Sequence, residues 1–281
     1  MNVSLQQILV PVDFTINTEV AVQKALFLSQ PRKSTIHLVH VVRPVASSWL
    51  AKAGFFSSAS IKIKTLADEL RSLEKLNEIE QLIRRENHSS AVIKYVVKSK
   101  LPEAAIITKA IDIKPDLILI SKKSRHSLMS FLTGVKPARI ALATKIPVLT
   151  FRPGSVNCDF KTIVIPLSSR FPGRKLEAID VFKAKGLVKI RLLIFPEENK
   201  HGEISNVLFH VYRLLRQATL ADIECATVSD YNRPRGILNF CKKIDADLLI
   251  VSPDMETNAG WMNKQMFDLV KPGTKTHILA I

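Results

Sequence analysis

The sequence contains few of the residues that would indicate a disulfide-rich, metal-binding or membrane-spanning protein. It has three cysteines in 281 residues, namely Cys158, Cys225 and Cys241. An odd and scattered set of this kind is typical of free thiols in a reducing compartment, so we expect a cytoplasmic protein. The chain has no apolar run of the roughly 18 residues needed to cross a bilayer. Residues 1–11 lack the features of a signal peptide, so we expect neither secretion nor membrane insertion.

Aromatic residues and catalytic motifs are also scarce. Aromatics make up 6% of the chain, and it contains no zinc-finger, RNP or basic-zipper pattern, which counts against a dedicated nucleic-acid-binding protein. His37 and His40 would point to opposite faces of a strand and cannot share a metal. The chain contains no nucleophile elbow or Walker loop. The sequence therefore predicts no metal site and no catalytic residues.

Acidic residues are fewer than basic ones, and the imbalance is uneven. The net charge is +16. Residues 1–155 contain 23 Lys and Arg against 11 Asp and Glu, and residues 94–152 contain 12 against 3. A solvated surface kept soluble by charge explains this pattern. The alternative is an anionic partner near the end of the first half of the chain.

The chain is an internal duplication. Two stretches of the first half have counterparts in the second half, at a distance that indicates two domain-sized copies. The first pair is Ile8-Leu9-Val10-Pro11-Val12-Asp13 and Ile163-Val164-Ile165-Pro166-Leu167-Ser168. The second pair is Pro115-Asp116-Leu117-Ile118-Leu119-Ile120-Ser121 and Ala246-Asp247-Leu248-Leu249-Ile250-Val251-Ser252.

Each half alternates short β-branched runs with longer helical patterns, which predicts an α/β fold with parallel strands and helices on both faces. The predicted strands are 7–12, 35–42, 92–97, 117–121 and 147–151, then 161–166, 187–194, 222–228, 247–252 and 276–281. The predicted helices are 17–30, 61–87, 102–112 and 134–144, then 174–185, 203–219, 233–244 and 260–270. We therefore expect two repeated, open, parallel five-stranded sheets flanked by helices.

The repeat places one domain at residues 1–153 and the other at 158–281. The linker between them is short, which predicts two domains that pack on each other. The first copy is 24 residues longer, within 43–86, where a long helix is predicted. Its apolar positions lie three or four apart, which indicates packing on a sheet or a partner domain. These positions are Leu66, Leu70, Leu73, Leu76, Ile79, Leu82 and Ile83.

Several of these stretches together resemble the universal stress protein family. They are Ile8 to Thr15, His37 to Val42, Pro115 to Ile120 and Ile146 to Leu149, with a weaker match through the second half. The resemblance implies a tandem two-domain member with a Rossmann-like, adenine nucleotide alpha hydrolase-like fold. It also implies a stress-response function exerted through protein association.

Members of this family that bind ATP or AMP use an Asp after strand one, backbone after strand two and a Gly-x-x-Gly-x9-Gly-Ser/Thr stretch after strand four. This chain has one glycine of the three, so serine hydroxyls and lysine charges would have to replace backbone N–H groups around a phosphate. The candidate nucleotide-binding residues are Asp13, Val41, Ser121, Lys122, Lys123, Ser124, Gly134 and Val135. No cofactor is required on this interpretation, and ATP, AMP or another small anion is the expected ligand.

The second half departs further from the family pattern, with Leu167 assigned to the acidic position and Ser252-Pro253-Asp254-Met255 at the glycine stretch. It is therefore expected to be a structural or dimer-like partner of the first half. We expect a non-enzymatic cytoplasmic protein that self-associates, as an intrachain pseudo-dimer and as a homodimer. The alternatives are a slow ATP-hydrolysing enzyme on the same fold and a module that binds polyanions or nucleic acid through residues 94–152.

Overall fold

A computed structural model describes residues 5–29, 34–43, 58–85, 90–121, 131–151, 160–167, 173–182, 187–195, 203–230, 232–253 and 276–281. The chain divides into two compact units, Leu5–Val135 and Lys136–Ile281. The linker and the predicted helix 260–270 lie outside the described residues. The domain boundary at 153–158 stays a prediction drawn from the repeat, whereas the division into compact units follows Val135.

The first unit contains a parallel sheet in the order β3-β2-β1-β4. Its strands are β1 (Gln7–Pro11), β2 (Thr35–Val42), β3 (Ala91–Lys98) and β4 (Leu117–Ser121). Its helices are α1 (Ile16–Ser29), α2 (Ser58–Arg85) and α3 (Pro102–Ile113), followed by a 3-10 helix at Phe131–Gly134. The chain runs from β1 outward to β3 and then returns to β4 on the other side of β1, so the strand order reverses between β1 and β4.

The second unit begins with the last helix and strand of the first repeat. Its strand order is β5-β10-β9-β6-β7-β8. The strands are β5 (Val148–Phe151), β6 (Thr162–Pro166), β7 (Lys189–Ile194), β8 (Asp222–Thr227), β9 (Leu248–Val251) and β10 (His277–Ala280). The helices are α4 (Pro137–Thr144), α5 (Arg174–Phe182), α6 (Glu203–Ala218) and α7 (Arg233–Lys243).

The predicted class is confirmed, because both units have mostly parallel sheets flanked by helices. Every residue of β4 and β9 is buried, as expected for strands covered on both faces. The strands within the described residues divide four and six between the units rather than five and five. The reason is a single antiparallel pairing. β5 pairs antiparallel with β10, with Leu149 opposite Leu279, so the last strand of the first repeat belongs to the compact unit of the second.

The repeated Asp of the second motif pair has a structural function. Asp116 Oδ2 accepts hydrogen bonds from the backbone N–H groups of Gln6 and Gln7, at 2.7 and 2.8 Å. Asp247 Oδ2 does the same for Lys161 and Thr162, at 2.9 and 2.8 Å. Each carboxylate therefore fixes the amino end of the central strand of its repeat, which explains why both copies contain it.

Candidate functional site

A structured turn follows β1 at the carboxyl edge of the first sheet, and Asp13 is its centre. Asp13 Oδ1 accepts hydrogen bonds from Thr15 N at 3.1 Å, Thr15 Oγ1 at 2.6 Å and Thr18 Oγ1 at 3.0 Å. The Asp13 N–H in turn donates to Thr18 Oγ1 at 3.0 Å. Aspartate favours such turns because its short carboxylate reaches nearby backbone donors. The turn leads directly into α1, whose first N–H groups lie at this edge.

Phe14 holds an unusual conformation in the same turn. Its φ is 56°, in the left-handed region that is an outlier for a bulky side chain. Its ring packs on His40, with 4.2 Å between ring centroids, and Lys75 Nζ lies 5.2 Å from the Phe14 ring centroid. Backbone strain of this type persists only when surrounding contacts hold it, and it is concentrated at functional sites.

His40 connects the end of β2 to the Asp13 turn. Its Nδ1 lies 2.8 Å from Val12 O, and because a carbonyl only accepts, Nδ1 carries the proton. Burial is the main cause that lowers the pKa of His40, and the nearby Lys75 lowers it further. The Val12 hydrogen bond and the Asp13 carboxylate act in the opposite direction. From the sequence, His40 was considered only as a metal ligand. Its position near the carboxyl end of β2 could have indicated that it lies close to the Asp13 turn.

Two buried polar side chains at this edge make no hydrogen bond in the described structure. Asn17 is 1% exposed, and neither its amide oxygen nor its nitrogen has a partner. Ser121 is 2% exposed and its hydroxyl is also unpartnered. Asn17 is in the first turn of α1, which packs on β1 and β4. Continuing the register of Leu9 with Ile118 places Ser121 beside Val12.

A buried polar group without a hydrogen-bond partner destabilises the folded protein by about 1–3 kcal/mol. A polar ligand that entered this edge of the sheet would recover that cost. Asn17 was not predicted, because a polar residue early in a helix is usually solvated and only the packed structure shows its burial.

The structure brings three of the predicted site residues to the same edge. Asp13, Val41 and Ser121 lie at the ends of adjacent strands, and because the Val41 side chain is buried, only its backbone could reach a ligand there. Gly134 is the last residue of the 3-10 helix, which packs against α3. A Cβ at Gly134 would meet nothing within 4 Å, so packing does not require a glycine there.

Val135 is buried at 1% exposure, and its N–H donates to Leu132 O at 3.2 Å. Lys122, Lys123 and Ser124 lie outside the described residues, so their predicted contact with phosphate stays a prediction.

The assignment of Leu167 to the acidic position is wrong. The Leu167 N–H donates to Leu193 O at 2.9 Å, as the Val12 N–H donates to Val39 O at 2.9 Å. Leu167 is therefore the counterpart of Val12. In the sequence the counterpart of Asp13 is then Ser168, which lies outside the described residues. The assignment was one residue out of register with the repeated sequences, in which Pro11 aligns with Pro166, and the main-chain hydrogen bond to the neighbouring strand corrects it.

The carboxyl edge of the second unit keeps one feature of the first. Ser252, the counterpart of Ser121, is 1% exposed and its hydroxyl has no hydrogen-bond partner. On the neighbouring strand β6, Pro166 O accepts a hydrogen bond at 3.1 Å from Nζ of Lys175, a buried residue of α5. The buried serine is thus common to both repeats, whereas the sequence at 168–172 contains no acidic residue that could take the place of Asp13.

The fold and this edge define a doubly wound α/β protein of the type that binds ligands where the strand order reverses. The model of the universal stress protein family matches residues 4–152. The chain therefore belongs to the universal stress protein family, and this membership indicates a role in stress response.

Solved structures agree with this assignment at the level of the fold. A universal stress protein from Archaeoglobus fulgidus DSM 4304 is 16% identical with a TM-score of 0.64, and the match covers 98% of this chain and 96% of that one. A putative universal stress protein from Pseudomonas aeruginosa UCBPP-PA14 is 13% identical with a TM-score of 0.60, covering 99% and 93%. A search of the curated proteins gave no match. Among the described helices, none has the length and apolar character needed to span a membrane.

Proposed function

We propose that this universal stress protein acts in the cytoplasm through protein association, without enzymatic activity. We further propose that its first repeat binds an adenine nucleotide or another small anion at the carboxyl edge of β1, β2 and β4. ATP and AMP are the ligands to test first, and no cofactor is required for the association. The family assignment supports the stress-response part of this proposal.

The observation that carries the ligand proposal is the pair of buried, unpartnered polar side chains, Asn17 and Ser121, beside the Asp13 turn. They lie where the strand order reverses, which is where sheets of this type bind ligands. The α1 N–H groups and the Lys75 ammonium add positive potential for a phosphate or carboxylate. Asp13 Oδ1 is engaged in holding the turn, and this structural use supports a binding role rather than a catalytic one.

The test is calorimetric titration of the whole protein with ATP and with AMP, comparing Ser121→Ala with Ser252→Ala. Neither substitution removes a hydrogen bond made within the described structure, so both variants should fold. A hydrogen bond to a charged ligand contributes about 1.5–3 kcal/mol, so Ser121→Ala is expected to weaken binding by roughly tenfold or more. Ser252→Ala, the matched control in the second repeat, should leave that affinity unchanged.

The absence of any nucleotide binding by the wild-type protein would refute the ligand part of the proposal. Equal losses in the two variants would place the site elsewhere. Measurable ATP turnover above a buffer blank would contradict the non-enzymatic part, and the same preparation serves for both measurements.

A further inference from the structure

His40 lies in the row of residues at the carboxyl edge where the proposed ligand would bind. Continuing the register of the strands places His40 of β2 and Ser121 of β4 on either side of Val12. Side chains in register on neighbouring strands point to the same face of a sheet. Two strand spacings, about 10 Å, separate the backbones of His40 and Ser121, so one nucleotide at this edge could lie near both.

The contacts of the imidazole identify Nε2 as the nitrogen that takes up a proton. Nδ1 already carries one, because it donates to Val12 O at 2.8 Å. The Phe14 ring packs on the imidazole with 4.2 Å between ring centroids, and the face of an aromatic ring also accommodates a cation. His40 can therefore become charged at Nε2 without losing its hydrogen bond to Val12.

The surroundings of His40 favour the neutral imidazole in the free protein. Burial is the main cause that lowers the pKa of His40, and Lys75 of α2 lowers it further. The hydrogen bond to Val12 and the Asp13 carboxylate raise it. The first turn of α1 carries an exposed Glu19. On the same face, two lysines of β3 form ion pairs with glutamates of α2, namely Lys94 with Glu80 and Lys98 with Glu69.

We propose that His40 couples the charge of the ligand to a proton: the imidazole becomes protonated at Nε2 when an anion, such as the phosphates of ATP, binds at this edge. A negative charge brought close to the ring stabilises the imidazolium by Coulomb attraction. This inference deepens the proposed function and rests on it, because it requires the ligand to bind beside His40.

The coupling makes the affinity for the anion depend on pH. A ligand that raises the pKa of His40 by one unit binds about tenfold more tightly below both pKa values, of the free and of the bound protein, than above both. Binding should therefore strengthen as the pH falls through this range.

Calorimetric titration of the whole protein with ATP at about pH 6, in buffers of different ionisation enthalpy, counts the protons taken up on binding. The informative variant is His40→Asn, because the asparagine amide can donate to Val12 O from the position of Nδ1 but cannot ionise. The wild type should take up more protons per bound ATP than this variant does. Relative to the variant, its affinity should rise by roughly threefold or more between about pH 7.5 and pH 5.5. Protonation of the ATP phosphates contributes to both proteins and cancels in the comparison.

The matched control is His37→Gln. His37 is on the same strand, and burial lowers its pKa as well. It is three residues from His40 and therefore points to the opposite face of the sheet. The His37→Gln variant should take up as many protons per bound ATP as the wild type does.

Nuclear magnetic resonance of the wild-type protein tests the same coupling without a substitution. The pKa of His40, read from its ring C–H resonance, should rise by about half a unit or more when ATP is saturating, while that of His37 stays the same. An unchanged pKa of His40, or equal proton uptake by the wild type and His40→Asn, overturns the inference and leaves ATP binding in place. A wild type without any ATP binding overturns the inference together with the proposal that ATP is the ligand.

Discussion

At the scale of single residues, Asp13 and Asp116 lie at opposite edges of the first sheet and differ in function for that reason. Asp13 holds the turn at the carboxyl edge, where a ligand would bind. Asp116 lies at the amino edge and accepts two backbone N–H groups. The sequence shows both as aspartates next to apolar strands, and only their hydrogen-bond partners separate a candidate site residue from a structural one.

Asp116→Ala should destabilise the protein by about 1–2 kcal/mol. It removes a charged acceptor from two N–H groups, but water partly replaces it because the site is exposed. Urea unfolding followed by circular dichroism measures the change. Asp112→Ala is the control, since Asp112 is exposed and its surface pair with Lys109 at 3.4 Å contributes at most about 0.5 kcal/mol. Equal effects of the two substitutions would show that the Asp116 contacts do not stabilise the strand.

At the scale of elements, the approach of α7 to the end of β8 depends on one glycine. Asn232 caps α7 by accepting a hydrogen bond from Arg235 N at 3.2 Å. A Cβ on Gly236, one residue later, would lie 2.6 Å from the Asp230 Cβ and 2.8 Å from the Val228 Cγ1. The close approach therefore requires a residue without a side chain, even though glycine is unfavourable within a helix.

Gly236→Ala should therefore lower the unfolding free energy by about 1–3 kcal/mol, because overpacking outweighs the higher helix propensity of alanine. Thermal unfolding of the variant measures this loss. Gly173→Ala is the comparison: an added Cβ there meets nothing within 4 Å, so the variant should lose only the small advantage of glycine over alanine before the first residue of α5. A stabilised Gly236→Ala variant would mean that α7 can move away from β8 at little cost.

At the scale of the whole molecule, the buried His37 and the half-buried His40 make stability depend on pH. His37 is 4% exposed and stacks on Tyr95, and its Nε2 has no hydrogen-bond partner in the described structure. Burial lowers the pKa of His37, and it is also the main cause of the lowered pKa of His40. The unfolded chain therefore takes up protons at a higher pH than the folded protein does.

The free energy of unfolding should consequently fall as pH drops below about 6.5, the ordinary pKa of histidine. This loss of stability should be complete once the pH is below the lowered pKa values that His37 and His40 have in the folded protein. Urea midpoints measured between about pH 8 and pH 5 test this. His37→Gln should flatten the dependence, while His210→Gln, at an exposed position on α6, should not. Stability that rises on acidification over this range would contradict the burial of His37.

The sequence by itself determined the α/β class, the duplication, the approximate strands and the carboxyl edge at which Asp13 and Ser121 lie. These features follow from local periodicity and from the order of elements, which short stretches of chain encode. The tertiary structure decided the β5–β10 pairing, the hydrogen bonds that Asp116 and Asp247 accept and the burial of Asn17. It also divided the apolar positions of α2 into a buried face, with Leu76 and Ile83, and an exposed face, with Leu66 and Leu70. The sequence pattern did not distinguish these two faces. Each of these depends on contacts between residues far apart in the chain, because a strand's partner and a side chain's burial are fixed only when distant segments pack together.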